Sequence, residues 1–426
     1  MSTLVIKGAR VIDPANAVDR IEDLHIVDGR IAALGAPPPG REPDRVVEAT
    51  GRWIVPGVVD LAARLRQPGQ EHKGTIASET LAAASSGITT LCTAPDTDPI
   101  VDSPAEVELI NRLAGAAGRS RVVTIGALTA GLKGSQLSEM AALKNAGCVG
   151  VGNALAPLAS TLVLRRAMEY AASHDLTLFL HPLDHALANE GCAHEGAVAS
   201  RLGLPGIPEA AETAALGQLL ALVEHTGVRA HFCRLSTARA VRTIGRARYD
   251  GLPVSADVCA HQLFLTEMDV ADFNSLCHTL PPLRTERDRD GLREAVATGV
   301  VDAICSDHQP HEVDAKLAPF PATEPGISAL ETLLPLTLRL VDEGVLTLPD
   351  AIARLTIGPA RILGLDAGAL SVGAAADLCI LDPDYVWELE PESMLSHGRN
   401  TPFAGWEFKG RVVETLVGGR SVYSSD

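Results

Sequence analysis

The chain has 426 residues, enough for one large domain and a smaller one, and its 46% hydrophobic and 21% charged residues are typical of a globular protein. Only 3% of the residues are aromatic, and 53 acidic against 36 basic residues give a formal net charge of -17 at pH 7. This charge repels a nucleic-acid backbone and an anionic membrane, so we expect neither as a partner.

The cysteines and the apolar segments indicate a cytoplasmic protein. Eight cysteines are scattered without a C-x-x-C pair, which argues against a zinc knuckle or a redox motif. The N-terminus lacks the basic and apolar regions of a signal peptide. The longest uncharged run, residues 146–164, is interrupted by glycines, Asn153 and Pro157, so we expect no membrane span.

Residues 1–52 read as short strands and turns, and we assign them to the N-terminal part of a small β domain. Residues 4–13 and 23–34 have the approximate alternation of half-buried strands, and Asp28-Gly29 is typical of a hairpin turn. Residues 36–45 are rich in Pro and Gly and predict a surface loop.

From about residue 53 the pattern changes to apolar strands that alternate with amphipathic helices. Eight such strands predict a parallel, TIM-like (β/α)8 barrel over residues 53–365. An open doubly wound sheet is the alternative, but no strand is followed by a G-x-G-x-x-G turn. The predicted strands are 53–60, 88–93, 121–126, 148–152, 177–181, 228–233, 253–258 and 301–306. The predicted helices include 104–117, 159–174, 209–226, 236–247 and 286–299.

The end of the chain returns to strands. Helices predicted near 326–344 and 347–355 lead out of the barrel, and the segments 376–382, 410–417 and 420–423 then have strand character. The simplest arrangement pairs residues 366–426 with residues 1–52, so that the small β domain is built from both chain ends.

Candidate functional residues lie where the barrel strands end, because barrels of this type carry their chemistry at the C-terminal strand ends. Ala62 and Arg64 follow the first strand and Asn153 the fourth, and the later strands end in His181, Arg234 and Asp307, the last with His308 and His311. Further candidates near the rim are Arg66, Asp96, His261 and Arg284.

Several segments resemble the type I dihydroorotases of the amidohydrolase superfamily over nearly the whole chain. The matching segments are 55–60, 66–69, 280–284, 306–311, 324–332 and 399–405. The resemblance implies an amidohydrolase-type barrel in which zinc-bound hydroxide and an aspartate base open or close the dihydroorotate ring.

The resemblance fails at the implied metal ligands. The family's first-strand motif Asp-x-His-x-His is Asp60-Leu-Ala-Ala-Arg64 here, so Ala62 and Arg64 replace both histidines. Asn153 stands in place of the family's bridging aspartate, and Arg234 in place of its sixth-strand histidine. His181 and Asp307 remain at ligand-type positions, and Asp307 matches the family's base.

The implied substrate pocket is altered as well. The family's Pro-Asn-Thr-Asn-Pro loop is Pro95-Asp-Thr-Asp-Pro99, and Leu280 replaces an asparagine. Asp96 should repel the substrate carboxylate that Arg66 would otherwise attract. We take Arg66, Asp96 and His311 as the substrate-like pocket. Arg66 and Arg284 could bind an anion, although an empty, partly filled pocket is as compatible with the sequence.

Two surviving ligands are too few for catalysis, because a catalytic zinc needs about three protein ligands and an open position. We therefore expect no metal and no catalytic residue. We predict instead a salt-bridge cluster in which Asp307 or Asp96 neutralises Arg64 or Arg234. We also expect Asp60 and Glu71 to pair with the basic turn that follows the first strand.

The resemblance extends to degenerate dihydroorotase-like subunits that assemble with aspartate carbamoyltransferase in pyrimidine biosynthesis. It implies a non-catalytic scaffold in a homo- or hetero-oligomer. The alternative is an active cyclic amidohydrolase with zinc on His181 and Asp307 and a further ligand such as His308 or His261. A sensor that binds a small anion at Arg66 is a third possibility.

Overall fold

The computed structural model describes residues 3–37 and 42–425, so the predicted loop 36–45 lies partly outside the described residues. Its centre is a sheet of eight parallel strands, each hydrogen-bonded to the next in chain order. A bridge between Ala63 and His308 joins the last strand to the first, so the predicted (β/α)8 barrel is confirmed. The strands are Val58–Ala63, Ile88–Thr93, Arg121–Ala127, Gly150–Gly152, Leu178–Leu180, Ala230–Phe232, Val254–Cys259 and Ala303–Cys305.

Helices surround the barrel, and most of the longer ones begin at a Ser or Thr whose side chain accepts a hydrogen bond from the first turn. In the described parts of the chain, no helix combines the length and apolar character needed to cross a bilayer. The helices between the strands are Ile76–Ser85, Pro104–Ala117, Met140–Asn145, Thr161–Ser173, His185–Ala188, Ala197–Leu202, Glu209–Thr226, Ala238–Tyr249 and Glu286–Ala297. Leu330–Asp342, Leu348–Leu355 and Ile357–Leu363 follow the last strand.

Strands from both chain ends form two further sheets beside the barrel. The six-stranded sheet joins N-terminal and C-terminal segments, since residues 53–56 pair with residues 378–381. Apolar side chains from these strands form a separate buried cluster. The six strands are Arg10–Asp13, Val18–Ile21, Trp53–Pro56, Leu378–Glu388, Glu407–Val417 and Arg420–Ser424. The four-stranded sheet contains Thr3–Lys7, Leu24–Val27, Arg30–Leu34 and Arg45–Glu48.

The predicted first barrel strand, 53–60, is wrong in its bounds. The structure divides it at Gly57: residues 53–56 belong to the six-stranded sheet, and residues 58–63 form the barrel strand. A Cβ atom at Gly57 would lie 2.1 Å from Thr89 Oγ1. Because no side chain fits there, glycine lets the chain pass closely over the second barrel strand.

Apolar side chains, most of them small or medium in size, fill much of the inside of the barrel. Val59, Cys92, Cys259, Ala303 and Cys305 are fully buried in one cluster there. Seven of the eight cysteines are buried and all eight are free thiols, so most of them pack as small apolar side chains. This packed interior confines any chemistry to the strand ends.

Candidate functional site

The C-terminal ends of the strands bring the candidate residues together at the barrel mouth. Arg66, Arg234 and Asp307 have φ angles of 62°, 54° and 48°, a left-handed backbone that is rare for residues other than glycine. Each such residue costs of order 1–3 kcal/mol and needs surrounding contacts to hold it. The strained backbone lies at the predicted site, where each strand ends and turns.

Two arginines and two aspartates form an ion cluster, which we define as Arg64, Asp96, Arg234 and Asp307. Arg64 Nε donates to Asp96 Oδ2 at 2.9 Å, and Arg234 Nη1 donates to Asp307 Oδ1 at 2.7 Å. Arg64 Nη1 lies 3.7 Å from the same Asp307 oxygen. The predicted salt-bridge cluster is therefore confirmed, and its formal charges cancel.

Burial and charge act against each other in the ion cluster. Burial raises the pKa of the Asp96 carboxyl, but Arg64, through its charge and hydrogen bond, and Arg234 outweigh this and hold that pKa below its usual value. Burial lowers the pKa of Arg234, but the charge of Asp307 and several smaller contributions together outweigh it, so the pKa lies above the usual arginine value. The carboxylate of Asp96 and the guanidinium of Arg234 are thus charged at neutral pH.

His181 and Asn153 flank the ion cluster without joining it. The Nδ1–H of His181 is placed to donate to the Cys233 carbonyl at 3.2 Å. Burial, and then the charge of Arg234, lowers the pKa of His181 well below its usual value, so the ring is neutral. The side chain of Asn153 accepts from Thr129 Oγ1 at 2.7 Å and donates to a nearby backbone carbonyl. Asn153 is therefore committed to its own loop.

Arg66 and His311 meet as predicted, but Asp96 turns away from them towards Arg64. Arg66 Nη2 lies 3.1 Å from His311 Nε2, and Arg66 Nε donates to the Pro310 carbonyl. Burial, with Arg64 adding to it, lowers the pKa of Arg66 to about 10, and burial followed by the charge of Arg66 lowers that of His311 to about 3. The guanidinium is thus held by neutral neighbours within the protein.

Two expected partnerships are wrong. Asp60 does not pair with the basic turn: its carboxylate accepts from Ser306 N at 2.9 Å and from Ser306 Oγ at 2.5 Å. Burial raises the pKa of Asp60 to about 7 in spite of these bonds. Glu71 accepts from the Gly69 backbone N–H instead of pairing with an arginine. Both carboxylates accept hydrogen bonds from backbone N–H groups instead of pairing with the arginines.

Arg284 is not open to an anion. It is buried, and its guanidinium donates to Ser236 Oγ, His194 Nδ1 and the Ile207 carbonyl. Burial lowers the pKa of Arg284, with Glu212 and other nearby acids opposing the shift. The anion-binding interpretation of Arg284 is therefore wrong, and its role is to connect loops beneath the barrel rim.

A polar network inside the sixth and seventh strands was not predicted from the sequence. His231 Nε2 lies 2.8 Å from Asp257 Oδ2 and its Nδ1 lies 2.9 Å from Ser255 Oγ. Donor atoms of His231, Cys233 and Asp257 all lie within 4.8 Å of one another, as in a metal site. Both ring nitrogens are engaged, however, and burial raises the pKa of the Cys233 thiol, so a metal-binding thiolate is disfavoured. The period-two spacing of His231 and Cys233 was the signal that could have placed them on one face.

The histidines suggested as extra ligands are also occupied or shielded. His308 Nε2 donates to Glu79 Oε2 at 2.8 Å, and its Nδ1 accepts the Ala329 N–H. Burial lowers the pKa of His261 to about 4, so that ring is neutral and enclosed. Glu79 additionally accepts from Ser396, which ties this histidine network to the C-terminal segment.

The residues at the strand ends do not fit a catalytic zinc. Ala62 has no donor atom, and the guanidinium groups of Arg64 and Arg234 carry positive charge to the surviving carboxylate, Asp307. A cation there would be repelled by two arginines and would have to compete with them for the oxygens of Asp307. The ion cluster occupies the strand ends at which the family resemblance implies a metal centre.

The space beside the ion cluster is small. A cavity of about 40 Å³ lies between Ala62, Arg64, His181 and Arg234. Pockets for small organic ligands usually measure about 300–1,000 Å³, so this cavity suits water rather than a ring-shaped substrate. An adjoining cleft of about 510 Å³ reaches His181 between two outer helices, but the residues of the ion cluster do not line it.

A (β/α)8 barrel with its polar residues at the strand ends and a sheet from both chain termini defines an amidohydrolase-type protein. The structure is similar to that of L-hydantoinase (dihydropyrimidinase) from Arthrobacter aurescens, with a TM-score of 0.89 and 24% identity over 100% of this chain and 96% of that one. A D-hydantoinase structure gives a TM-score of 0.85 at 23% identity, covering 100% and 95% of the two chains. At these identities the likeness establishes the fold.

The sequence comparisons establish the family. A family model described as "Dihydro-orotase-like" matches residues 51–240. The chain is 53% identical to a "Dihydroorotase-like protein" of Pseudomonas putida over 98% of both chains. It is 44% identical to a "Dihydroorotase" of Anaeromyxobacter dehalogenans over 99% of this chain and 98% of the relative. The chain belongs to the dihydroorotase-like family.

Proposed function

We propose that this chain is a catalytically inactive dihydroorotase-like protein that serves as a structural subunit for aspartate carbamoyltransferase in cytoplasmic pyrimidine biosynthesis. The observation that carries the proposal is the convergence of Arg64 and Arg234 on Asp307, at 3.7 and 2.7 Å. The carboxylate that would act as a base and metal ligand is committed to two guanidinium groups.

Ring hydrolysis needs a nucleophile that this site does not supply. Without a bound metal, water keeps a pKa near 16 instead of about 7, so hydroxide is scarce at neutral pH. His181 is neutral but surrounded by cations, and Asp307 accepts from Arg234 and from Gln309 Nε2. The charged groups of the site pair with one another, so we infer that none of them activates a water molecule for attack.

The partner rests on the family resemblance and on the retained fold. The chain keeps the full architecture of the family, including the sheet that joins both ends, although the ligand set has changed. A fold that persists after its chemistry is lost is explained by a role in assembly. Aspartate carbamoyltransferase is the partner that degenerate members of this family take.

Three measurements on the purified chain test the inactive role. Elemental analysis should find far less than one zinc per chain, and dihydroorotate and carbamoyl aspartate should not interconvert above the buffer rate. Addition of zinc should leave both results unchanged. Stoichiometric zinc together with turnover that Asp307→Ala abolishes would overturn the proposal.

The assembly role needs its own experiment. The chain and the aspartate carbamoyltransferase catalytic chain of the same organism are coexpressed, and the particle mass is measured by size-exclusion chromatography with light scattering. We expect one complex of fixed composition, and a smaller or less active transferase when this chain is omitted. Two separate peaks, with transferase size and activity unaffected, would contradict the scaffold role.

A stepwise reconstruction separates lost ligands from lost fold. Ala62→His with Arg64→His should not bind zinc, because Asn153 and Arg234 still stand at ligand positions. Adding Asn153→Asp and Arg234→His should restore zinc binding, measured by elemental analysis after dialysis. Zinc retained by the two-position variant would show that our assignment of the remaining positions is wrong.

A metal-dependent cyclic amidohydrolase is the second candidate. The observation in its favour is that His181 and Asp307 survive in a chain 44% identical to a relative named "Dihydroorotase". The zinc and turnover measurements above distinguish it directly, since this candidate requires both to be positive.

A further inference from the structure

A second pocket, the basal pocket, lies at the end of the barrel opposite the ion cluster. It has a volume of about 790 Å³, within the range of small-molecule sites. Residues at or just before the starts of the fourth to seventh strands line it, among them Val149, Thr177, Ala230 and Val254. The basal pocket is therefore separate from the site at the barrel mouth.

The basal pocket is basic although the chain as a whole is acidic. Two acids, Asp175 and Asp302, line it together with five cationic side chains. The lining thus carries a net charge of about +3, in a protein whose formal net charge is -17. A concave surface of one sign concentrates the field and attracts ligands of the opposite sign. The five cations are Lys144, Arg229, Arg248, Arg354 and Arg361.

Two of the arginines are near enough to interact. Arg248 Nη1 donates to the Gly299 carbonyl at 3.1 Å, and burial lowers the pKa of Arg354, with the charge of Arg248 adding to that shift. Asp302 pairs with Arg248 at 3.1 Å, whereas Arg354 donates to the Val296 carbonyl. Two neighbouring guanidinium groups repel each other, and a bound anion would relieve that repulsion.

The remaining cations include one with no partner among the described residues. The guanidinium of Arg361 is exposed and makes no hydrogen bond or ion pair within residues 3–37 and 42–425. Arg229 is fixed by Asp175 at 3.0 Å, and Lys144 Nζ donates to a backbone carbonyl at 2.6 Å. The pocket thus combines cations in fixed positions with one that is free to close on a ligand.

We propose that the basal pocket binds a small polyanion with clustered phosphate groups. Arginine suits phosphate because its planar fork donates two parallel hydrogen bonds, and a net charge near +3 matches a di- or triphosphate. Apolar side chains of Leu252, Pro253, Ile357 and Ile362 line the same pocket and offer a surface for an organic group. A nucleoside triphosphate and an inorganic polyphosphate share this chemistry. The site does not depend on the proposed assembly role.

Isothermal titration calorimetry with inorganic tripolyphosphate and with ATP, each without metal, tests the proposal on the full chain. We expect saturable binding that weakens with added salt. Arg361→Glu should weaken binding by about tenfold or more, because it removes a charged hydrogen bond and introduces repulsion. Arg361→Gln, which keeps a neutral side chain, should weaken it less. Circular dichroism checks that both variants fold.

Arg242→Glu is the matched control. Arg242 is also an exposed arginine without a partner in the described chain, and it does not line the basal pocket. Its substitution changes the net charge equally and should alter affinity by less than about twofold. Equal affinity for the two probes would indicate that only the phosphate groups are recognised. Tighter binding of ATP would indicate that the apolar lining of the pocket also contributes to affinity. No binding of either probe, or equal weakening by Arg242→Glu and Arg361→Glu, overturns the proposal.

Discussion

Removing the charge of Asp307 should destabilise the protein more than removing either arginine around it. Arg64 Nη1 and Arg234 Nη1 lie 3.7 and 2.7 Å from one Asp307 oxygen, which places the two cationic nitrogens within about 6 Å of each other. At an effective dielectric constant of about 20, two like charges at that distance repel by about 3 kcal/mol. In Asp307→Asn this repulsion is opposed only by Asp96, which pairs with Arg64, so the expected loss is about 3–5 kcal/mol, as for other broken buried ion pairs.

Arg234→Met should cost less, about 1–2 kcal/mol, because Asp307 keeps Arg64 and the amide of Gln309 as partners. The double variant Asp307→Asn with Arg234→Met should be more stable than Asp307→Asn alone, since it removes the repulsion along with the carboxylate. The assay is urea denaturation followed by circular dichroism, with all variants compared under one protocol.

Asp314→Asn controls for the loss of one negative charge. Asp314 is exposed on the segment after the eighth strand and should tolerate the change within about 0.5 kcal/mol. If Asp307→Asn unfolds at the same urea concentration as Asp314→Asn, the ion cluster does not stabilise the barrel mouth. A double variant less stable than Asp307→Asn would likewise refute the repulsion argument.

Two further substitutions test burial and packing. Burial raises the pKa of Glu331 to about 7. The contribution of this carboxyl to stability is therefore complete below about pH 4 and is lost as the pH rises through about 7. Replacing it in Glu331→Gln should reduce the decline of the urea midpoint between about pH 5 and pH 8. Gly57→Ala should lower the free energy of unfolding by at least about 2 kcal/mol, because the new methyl group clashes with Thr89. Gly217→Ala lies at an exposed helix position with open space and should raise the free energy of unfolding by about 0.5–1 kcal/mol in the same assay.

The predictions for Glu331 and Gly57 would each be contradicted by a specific result. A pH profile of Glu331→Gln that is parallel to that of the unmodified protein would mean that the buried carboxyl is not protonated near neutrality. A Gly57→Ala variant with an unchanged urea midpoint would mean that the two strands can separate at Gly57 without loss.

The sequence predicted the barrel and the ion cluster well, for a common physical reason. Alternating apolar strands and amphipathic helices have few stable arrangements, and in a parallel barrel all strand ends meet on one face. Arg64, Asp96, Arg234 and Asp307 follow different strands, yet that rule alone brings them together. Opposite charges removed from water then pair, which the structure shows.

The predictions that were wrong concern contacts that depend on local backbone geometry. Asp60 was expected to face the nearby arginines, but it lies within the first barrel strand and its carboxylate is directed to Ser306. Arg284 was expected at an open rim, but two short paired strands that contain His194 and Ile207 cover it. The strand break at Gly57 depends on the distance to Thr89, which apolar periodicity does not contain.

The joining of both chain ends in one sheet determines when that sheet can be completed during synthesis. Residues 53 and 54 pair with residues 10 and 11, but the other edge of residues 53–56 pairs with residues 378–381 and lacks that partner until nearly the whole polypeptide has left the ribosome. The barrel strands between them are translated first and pair largely with their neighbours in the chain. A nascent chain therefore carries an unpaired, apolar N-terminal edge for most of its translation, and premature termination leaves that edge exposed to aggregation.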